Sequence, residues 1–234
     1  MANTLFLRLE GPLQSWGERG RWSIRDSAPE PTKSGVIGLI ACALGYNEDN
    51  QIRGLSEQTR MGVRVDSAGI RLTDYHTIGG GYAEPALLTA EGKPKKSSGQ
   101  PHTEISQRDY LCHASFLVAL QADEPELIAQ IAYYIQNPVW TIYLGRKSCP
   151  PSRPVFDGVG YHPDLQAALS YHRSWTDYAR WPKDGKVTGV IECDSSKGIR
   201  RRDHIVSRAY RRFEPRYTCN VSIILEFEMN EEAS

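Results

Sequence analysis

No two cysteines in the chain are spaced as a CxxC pair. Cys42, Cys112, Cys149, Cys193 and Cys219 are odd in number and scattered, which argues against a disulfide framework or a structural zinc site and fits a reducing cytoplasm. No apolar run is long enough to span a bilayer, since the longest, Val36 to Leu44, is interrupted by Gly38. The N-terminus has no basic stretch ahead of its first hydrophobic residues, so no secretory signal is expected. There is no Walker phosphate loop, no Ser-His-Asp order, no paired-carboxylate motif and no repeat of fixed period. Net charge is lacking too: 28 Lys plus Arg balance 28 Asp plus Glu over 234 residues. That balance would argue against a nucleic-acid partner only if the charges were evenly spread. They are not. Between Lys197 and Arg216 eight basic residues meet only Asp203 and Glu214, while Glu226, Glu228, Glu231 and Glu232 follow with no base among them.

With 40% hydrophobic and 24% charged residues, the chain has ordinary globular composition and the length of one large domain or one and a half. Thr4 to Glu10 alternates, with Leu5, Leu7 and Leu9 on one face and Phe6, Arg8 and Glu10 on the other, and reads as a half-buried strand ended by Gly11-Pro12. A loop rich in charge and tryptophan follows from Gln14 to Lys33. Ser34 is the expected cap of a helix through Val36, Ile37, Leu39, Ile40, Ala43 and Leu44, which Gly45 ends. Apolar nearly all round, that helix should be sandwiched. Met61, Val63 and Val65 mark a second strand, and Tyr110 to Leu120 a third. Asp123 to Glu126 reads as a capping box before a helix over Leu127 to Ile135, and Val139 to Leu144 as a fourth strand. Ile78 to Gln107, with Gly79-Gly80-Gly81, three lysines and few aliphatics, reads as a long projecting loop or hairpin. The order βαββαβ predicts an α+β, ferredoxin-like or RNA-recognition-motif domain over residues 1–153 with an insertion at about 77–108. A smaller β-rich C-terminal subdomain is expected over 154–234, with strands near Val187–Cys193 and Val221–Met229.

Two short constellations suit phosphate. Pro31-Thr32-Lys33-Ser34-Gly35 precedes the first helix, where Lys33, the Ser34 hydroxyl and free backbone N–H groups could hold one; the competing reading is a plain cap beside an exposed lysine. Tyr143-Leu144-Gly145-Arg146-Lys147-Ser148 combines a ring, two cations and a hydroxyl at a strand end, as a nucleic-acid backbone requires, or else is a solvated turn. His76, His102 and His113 offer no convergent metal-ligand spacing. Arg200-Arg201-Arg202 reads as a solvated face, and Arg208, Arg211, Arg212 and Arg216 recur closely enough to suit a polyanion or an acidic protein.

Together the motifs resemble the CasD family, the CRISPR RNA 5′-handle-binding subunits of type I-E Cascade within the RAMP superfamily. The resemblance runs through Leu7-Arg8-Leu9-Glu10-Gly11-Pro12-Leu13-Gln14-Ser15-Trp16-Gly17, Pro31 to Gly35, Asp74-Tyr75-His76-Thr77, Tyr110 to Phe116 and Tyr143 to Pro150, with a weaker echo at Arg212-Phe213 and Arg216-Tyr217. It lapses over Ile78–Gln107 and Tyr161–Gly198. It implies a modified RNA-recognition fold whose insertion is a β-hairpin thumb. It further implies a cytoplasmic, non-catalytic subunit without cofactor or metal that grips the CRISPR RNA 5′ handle beside the backbone subunit CasC and the large subunit CasA. No membrane is involved, and target DNA is met mainly through the whole complex. The expected RNA contacts are Lys33, Ser34 and Gly35 at the helix terminus, Arg108, Arg146, Lys147 and Ser148 on backbone, and Tyr75, His76, Tyr110 or Tyr143 near a base. Gln14 and Trp16 are signature residues that could equally pack the loop. One alternative is a metal-independent endoribonuclease, for which Tyr46, His76 and His113 with Lys33 or Lys147 are the only candidates. The other is a protein-interaction module whose basic segment docks an acidic partner.

Overall fold

The computed structural model describes residues 1–20, 23–79, 87–89, 91–95, 102–171, 175–207 and 210–225. In chain order its elements are β1 (Thr4–Glu10), β2 (Leu13–Gln14), β3 (Ile24–Arg25), α1 (Lys33–Leu44), α2 (Asp49–Glu57), β4 (Thr59–Ser67), β5 (Ile70–Gly79), β6 (Thr103–Cys112), β7 (Ser115–Ala122), α3 (Pro125–Gln136), β8 (Phe156–Gly160), α4 (Leu165–Tyr171), β9 (Lys186–Glu192), β10 (Ile199–Ser207) and β11 (Arg212–Ile224). Among the described residues no helix is long and apolar enough to cross a membrane.

The architecture is mixed α and β, built on a seven-stranded sheet in the order β10-β11-β9-β4-β7-β1-β8 with every neighbour antiparallel. α1, α2 and α3 pack on one face around Leu5, Leu7, Leu9, Phe116, Val118 and Leu120. α4 covers the other, where Phe6, Leu117, Ala119, Leu165 and Leu169 form a second cluster. Because both faces are covered, β1 is buried along its whole length and not half-buried as its alternation suggested. The polar members of that second face are paired inside: Arg8 and Arg64 both bond Asp66, and Glu10 accepts from Ser115 (2.7 Å) and Thr176 (2.6 Å). A buried charge is tolerated only when its partners are buried with it.

Thr32, not Ser34, caps α1, its hydroxyl accepting from the Gly35 N–H at 3.3 Å. Gly45, at φ 72°, ends the helix as expected, and Val36, Ile37, Leu39, Ile40, Ala43 and Leu44 are buried. α3 starts at Pro125, with Glu124 before it making no side-chain cap bond, so the expected capping box does not form. The run from Tyr110 to Leu120 is two strands: His113 adopts φ 53° and breaks the ladder between β6 and β7. Val139 to Leu144 is not a strand; the strand that flanks β1 is β8. Residues after Pro154 extend the main sheet at both edges, β8 on one side and β9 to β11 on the other. Within the basic segment β10 and β11 are paired, and Cys193 and Cys219 are disulfide-bonded, which the scattered, odd-numbered cysteines had argued against. An odd count hid the pair because the other three cysteines are free.

β5 and β6 form a ribbon registered from Ile70 opposite Cys112 to Gly79 opposite Thr103, braced at its root by β2 and β3. It begins before the boundary expected near residue 77. The expected insertion's segments 80–86, 90 and 96–101 lie outside the described residues, as do Arg208 and the acidic tail beyond Leu225.

Candidate functional site

The segment Gln14-Ser15-Trp16 is a packing knot. Trp16 is fully buried, its indole N–H bonds Gln14 Oε1 at 3.0 Å, and the Gln14 amide bonds the carbonyls of Leu9 and Ala114. A Cβ on Gly35 would come within 2.8 Å of the Trp16 ring, so glycine there serves contact between α1 and the indole, not room for a phosphate. Ser15 N–H bonds Leu144 O at 3.1 Å, and Gly145, at φ 85°, lies backbone to backbone against Ser15 O. The N-terminal loop, the start of α1 and the 144–149 turn are therefore locked together. That turn is closed by Leu144 N–H to Cys149 O (2.7 Å) and Cys149 N–H to Arg146 O (2.9 Å).

Lys33 is not available for phosphate. Its ammonium is buried and bonds Thr59 O at 2.7 Å and Glu192 Oε1 at 2.8 Å, while its backbone N–H is taken by Asp203. Asp203 also accepts two bonds from Arg216, at 2.7 and 2.8 Å. Burial lowers the Lys33 pKa, and Glu192 works against that shift. This four-charge network ties α1 to β4, β9, β10 and β11, which removes Lys33 and Arg216 from any external grip.

A cleft of about 920 Å³ opens beside the knot, and Arg19, Arg25, Arg146, Arg200, Arg202 and Arg211 line it. Among the described residues two carboxylates border it, and both are engaged: Asp26 accepts from the Glu18 and Arg19 backbone, and Glu18 pairs with Arg201. Among the described residues, Arg19, Arg25, Arg200, Arg202 and Arg211 have no carboxylate at ion-pair distance. The pleat of β10 explains how three adjacent arginines divide. Arg200 and Arg202 face the cleft, while Arg201 turns to Glu18 and Glu30. Burial raises the Glu30 carboxyl, and Arg201 partly offsets this. Arg146 is the most constrained of the six. Its guanidinium lies 4.7 Å over the Tyr110 ring, Nη2 donates to Arg25 O at 2.9 Å, and Nη1 is buried with no partner among the described residues. A planar cation held by a ring and a carbonyl, with donors to spare, is suited to a phosphate oxygen.

The other expected contacts are dispersed. Lys147 and Ser148 are exposed on the same turn as Arg146. Tyr110 is buried beneath Arg146, so its ring is not free to stack on a base. Tyr75, His76 and Arg108 lie on the ribbon, Tyr75 exposed, His76 beside Asp74 at 3.4 Å and Arg108 donating to Ser106. Ser34, Gly35 and Tyr143 line a separate small cavity under α1, together with Tyr46. His113 sits in the β6–β7 turn against Tyr178, ring centroids 5.6 Å apart. Tyr46, His76 and His113, proposed for nuclease chemistry, thus sit in three different places, with Lys33 buried elsewhere and Lys147 on the 144–149 turn. Arg19, Arg25, Arg200 and Arg202 were not singled out as site residues. Their signal was a two-residue period in the arginine run and the charge of the Gln14–Lys33 loop.

The pattern of the family described as "CRISPR-associated protein (Cas_Cas5)" matches residues 4–217. The chain is 34% identical over 183 residues to "CRISPR system Cascade subunit CasD" of Escherichia coli (strain K12), covering 72% of this chain and 76% of that protein. It is similar to a solved structure titled "CRISPR RNA-guided surveillance complex", with TM-score 0.74 and 29% identity over 94% of this chain and 90% of the other. A second, "Crystal structure of Cas protein", has TM-score 0.67 and 29% identity over 95% of both chains. With the family pattern running from β1 into β11 and a relative above 30% identity, the chain belongs to the Cas5 family of CRISPR-associated proteins.

Proposed function

We propose that the chain is the CasD-type subunit of a type I-E Cascade, a non-catalytic cytoplasmic RNA binder that caps the CRISPR RNA 5′ handle and supports assembly in antiviral defence. The observation that carries this is Arg146, clamped between Tyr110 and Arg25 O in a cleft lined, among the described residues, by six arginines, with one of its nitrogens unpartnered among those residues. Such a cleft suits a bending polyanion, and its salt-sensitive grip would come from phosphates. The four strands β8-β1-β7-β4, with α1 and α3 in their crossovers, are read as the ferredoxin-like unit of the family. The ribbon β5–β6 is read as the thumb that meets the backbone subunit CasC, with the large subunit CasA nearby. Target DNA would be met through the whole complex.

The basic segment, earlier an option for an acidic protein, goes to RNA here because Arg200, Arg202 and Arg211 share the cleft with Arg146. The experiment is co-purification with the neighbouring subunits, sequencing of the bound RNA, and titration of that RNA against the complex at several salt concentrations. A single defined 5′ end and a steep salt dependence are expected, with no cleavage of precursor repeat by the isolated chain with or without magnesium. A defined cut lost on His113→Ala or His76→Ala would replace this reading with the endoribonuclease.

A further inference from the structure

The arginine cleft has a neighbour of opposite chemistry. A cavity of about 240 Å³ lies between α1 and the 140–145 segment, walled by Gly38, Cys42, Tyr46, Trp140 and Tyr143, and it shares Gly145 with the cleft. Among the described residues, no Lys, Arg, Asp or Glu lines it. Gly38 opens it: a Cβ there would meet nothing within 4 Å, so the helix presents bare backbone where its neighbours Ile37 and Leu39 are packed. Trp140 is 43% exposed, although its backbone is pinned by Trp140 N–H to Cys42 O (3.3 Å) and Val139 N–H to Ala43 O (2.9 Å). An indole held by its main chain but left uncovered is a preformed stacking surface.

The polar groups on the wall are the hydroxyls of Ser34, Tyr46 and Tyr143 and the Cys42 thiol. Burial and the neighbouring Cys42 both raise the Tyr143 pKa, so its phenol stays a neutral donor. A cavity of this kind rejects phosphate, which would lose its hydration without gaining a cation. It accepts a flat, uncharged heteroaromatic ring with hydrogen-bonding edges, and its volume suits one base and not a stacked pair. Single-stranded RNA is read in this way, with bases splayed from the backbone onto aromatic side chains while cations hold the phosphates.

We infer that one nucleobase of the bound RNA leaves the cleft at Gly145 and inserts into this pocket against Trp140 and Tyr143, making the pocket the chain's base-reading subsite. This rests on the RNA-gripping reading above. It also gives Ser34 and Tyr143 a shared role at a base edge in place of the phosphate contact expected of Ser34.

The test uses a synthetic copy of the co-purifying RNA, made abasic at one position at a time, and the complex carrying wild-type, Gly38→Phe or Trp140→Leu chain. Gly38→Phe fills the pocket from a position with open space and improves helix propensity, and Trp140→Leu alters an exposed ring, so both should fold. One abasic position should weaken wild-type binding about tenfold, within the range for stacking a base on an aromatic side chain. Both variants should lose about tenfold on intact RNA, show no further loss at that abasic position, and keep the wild-type salt slope. RNA that binds with a steep slope but a uniform abasic profile, or variants that bind like wild type, would overturn the pocket and leave the cleft standing. Absence of RNA binding would overturn both.

Discussion

The Arg146 guanidinium lies 4.7 Å over the ring of Tyr110, a residue of the buried root of β6. The ring fixes the plane of the cation, and the Arg25 carbonyl fixes its rotation about that plane. These two contacts make separate predictions. Arg146→Ala should weaken RNA binding and lower the log–log salt slope by about 0.7, as expected for one lost phosphate contact on a single strand. Tyr110→Leu keeps apolar bulk but releases the cation. It should weaken binding several-fold while leaving the slope near wild type, because the charge remains. Equal slopes for Arg146→Ala and wild type would remove the turn from the RNA site.

Arg200 and Arg202 should behave as Arg146 does, and Arg201 should not. Arg200→Ala and Arg202→Ala each remove a cation facing the cleft and should lower the salt slope. Arg201→Ala leaves Glu18 and Glu30 without their partner. Its main effect should be on stability, read as a lower urea midpoint. A slope change for Arg201→Ala as large as that for its neighbours would contradict the alternation of β10.

The buried network around Lys33 predicts an order of stabilities. Glu192→Leu strands the Lys33 ammonium with only the Thr59 carbonyl and weak help from Asp203, and should cost about 3 kcal/mol, as removal of one partner of a buried ion pair does. Lys33→Met should cost less, since Arg216 stays within 3.6 Å of Glu192. The double variant should recover part of the loss, which a urea double-mutant cycle would measure. RNA affinity and its salt slope should be unchanged in Lys33→Met. A reduced slope would return Lys33 to the phosphate contacts.

His204 supplies a pH dependence. Its Nδ1 lies 3.0 Å from the Ser56 hydroxyl, and burial first, then nearby Lys33, lowers its pKa below the usual 6.5. The unfolded chain therefore takes up the proton at higher pH than the folded one. Stability is present above about pH 6.5, where His204 is neutral in both states, and is lost as pH falls from there toward the folded pKa. Glu30 acts in the opposite sense, its raised pKa favouring the fold as pH falls toward the carboxylate range, but it does so with or without His204. Chemical denaturation at pH 7.5 and 5.5 should show a smaller stability loss in His204→Asn than in wild type. Equal losses would mean that His204 is charged in the fold.

Periodicity exposed the strands and helices that pack with a single clear face, and missed what depends on tertiary cover. Leu5, Leu7 and Leu9 announced β1, yet nothing in Phe6-Arg8-Glu10 showed that α4 and Thr176 would bury the second face as well. Lys33 before an apolar helix suggested a phosphate site because its acceptors, Glu192 and Asp203, lie more than a hundred residues away. The cleft was hidden for the same reason. Its arginines come from the N-terminal loop, the 145–146 turn and the β10–β11 region, and only the fold brings them together. Arg146 stood out in the sequence because Tyr143, Gly145 and Lys147 lie beside it, but the ring and the carbonyl that hold it, Tyr110 and Arg25 O, come from distant parts of the chain.

The ribbon allows a clean separation of folding from assembly. Most of β5 is exposed or half-exposed, including Ile70, Leu72, Tyr75 and Ile78, so the ribbon buries little against the body beyond its root. The root is held independently by Arg71 to Asp109 and Ser27 O, by Thr73 to Asp109, and by β2 and β3 against β6. Because Gly79 and Thr103 face each other, segment 80–102 can be replaced by an Asn-Gly turn that continues the register. The shortened chain should keep its urea midpoint and its cleft, since none of the segment's described residues lines the cleft. If the ribbon is an assembly thumb, capture of the backbone subunit should fail, while affinity of the isolated chain for RNA should change little. Wild-type capture by the shortened chain would place the contact elsewhere. A large drop in the midpoint would show that the replaced segment belongs to the folded body.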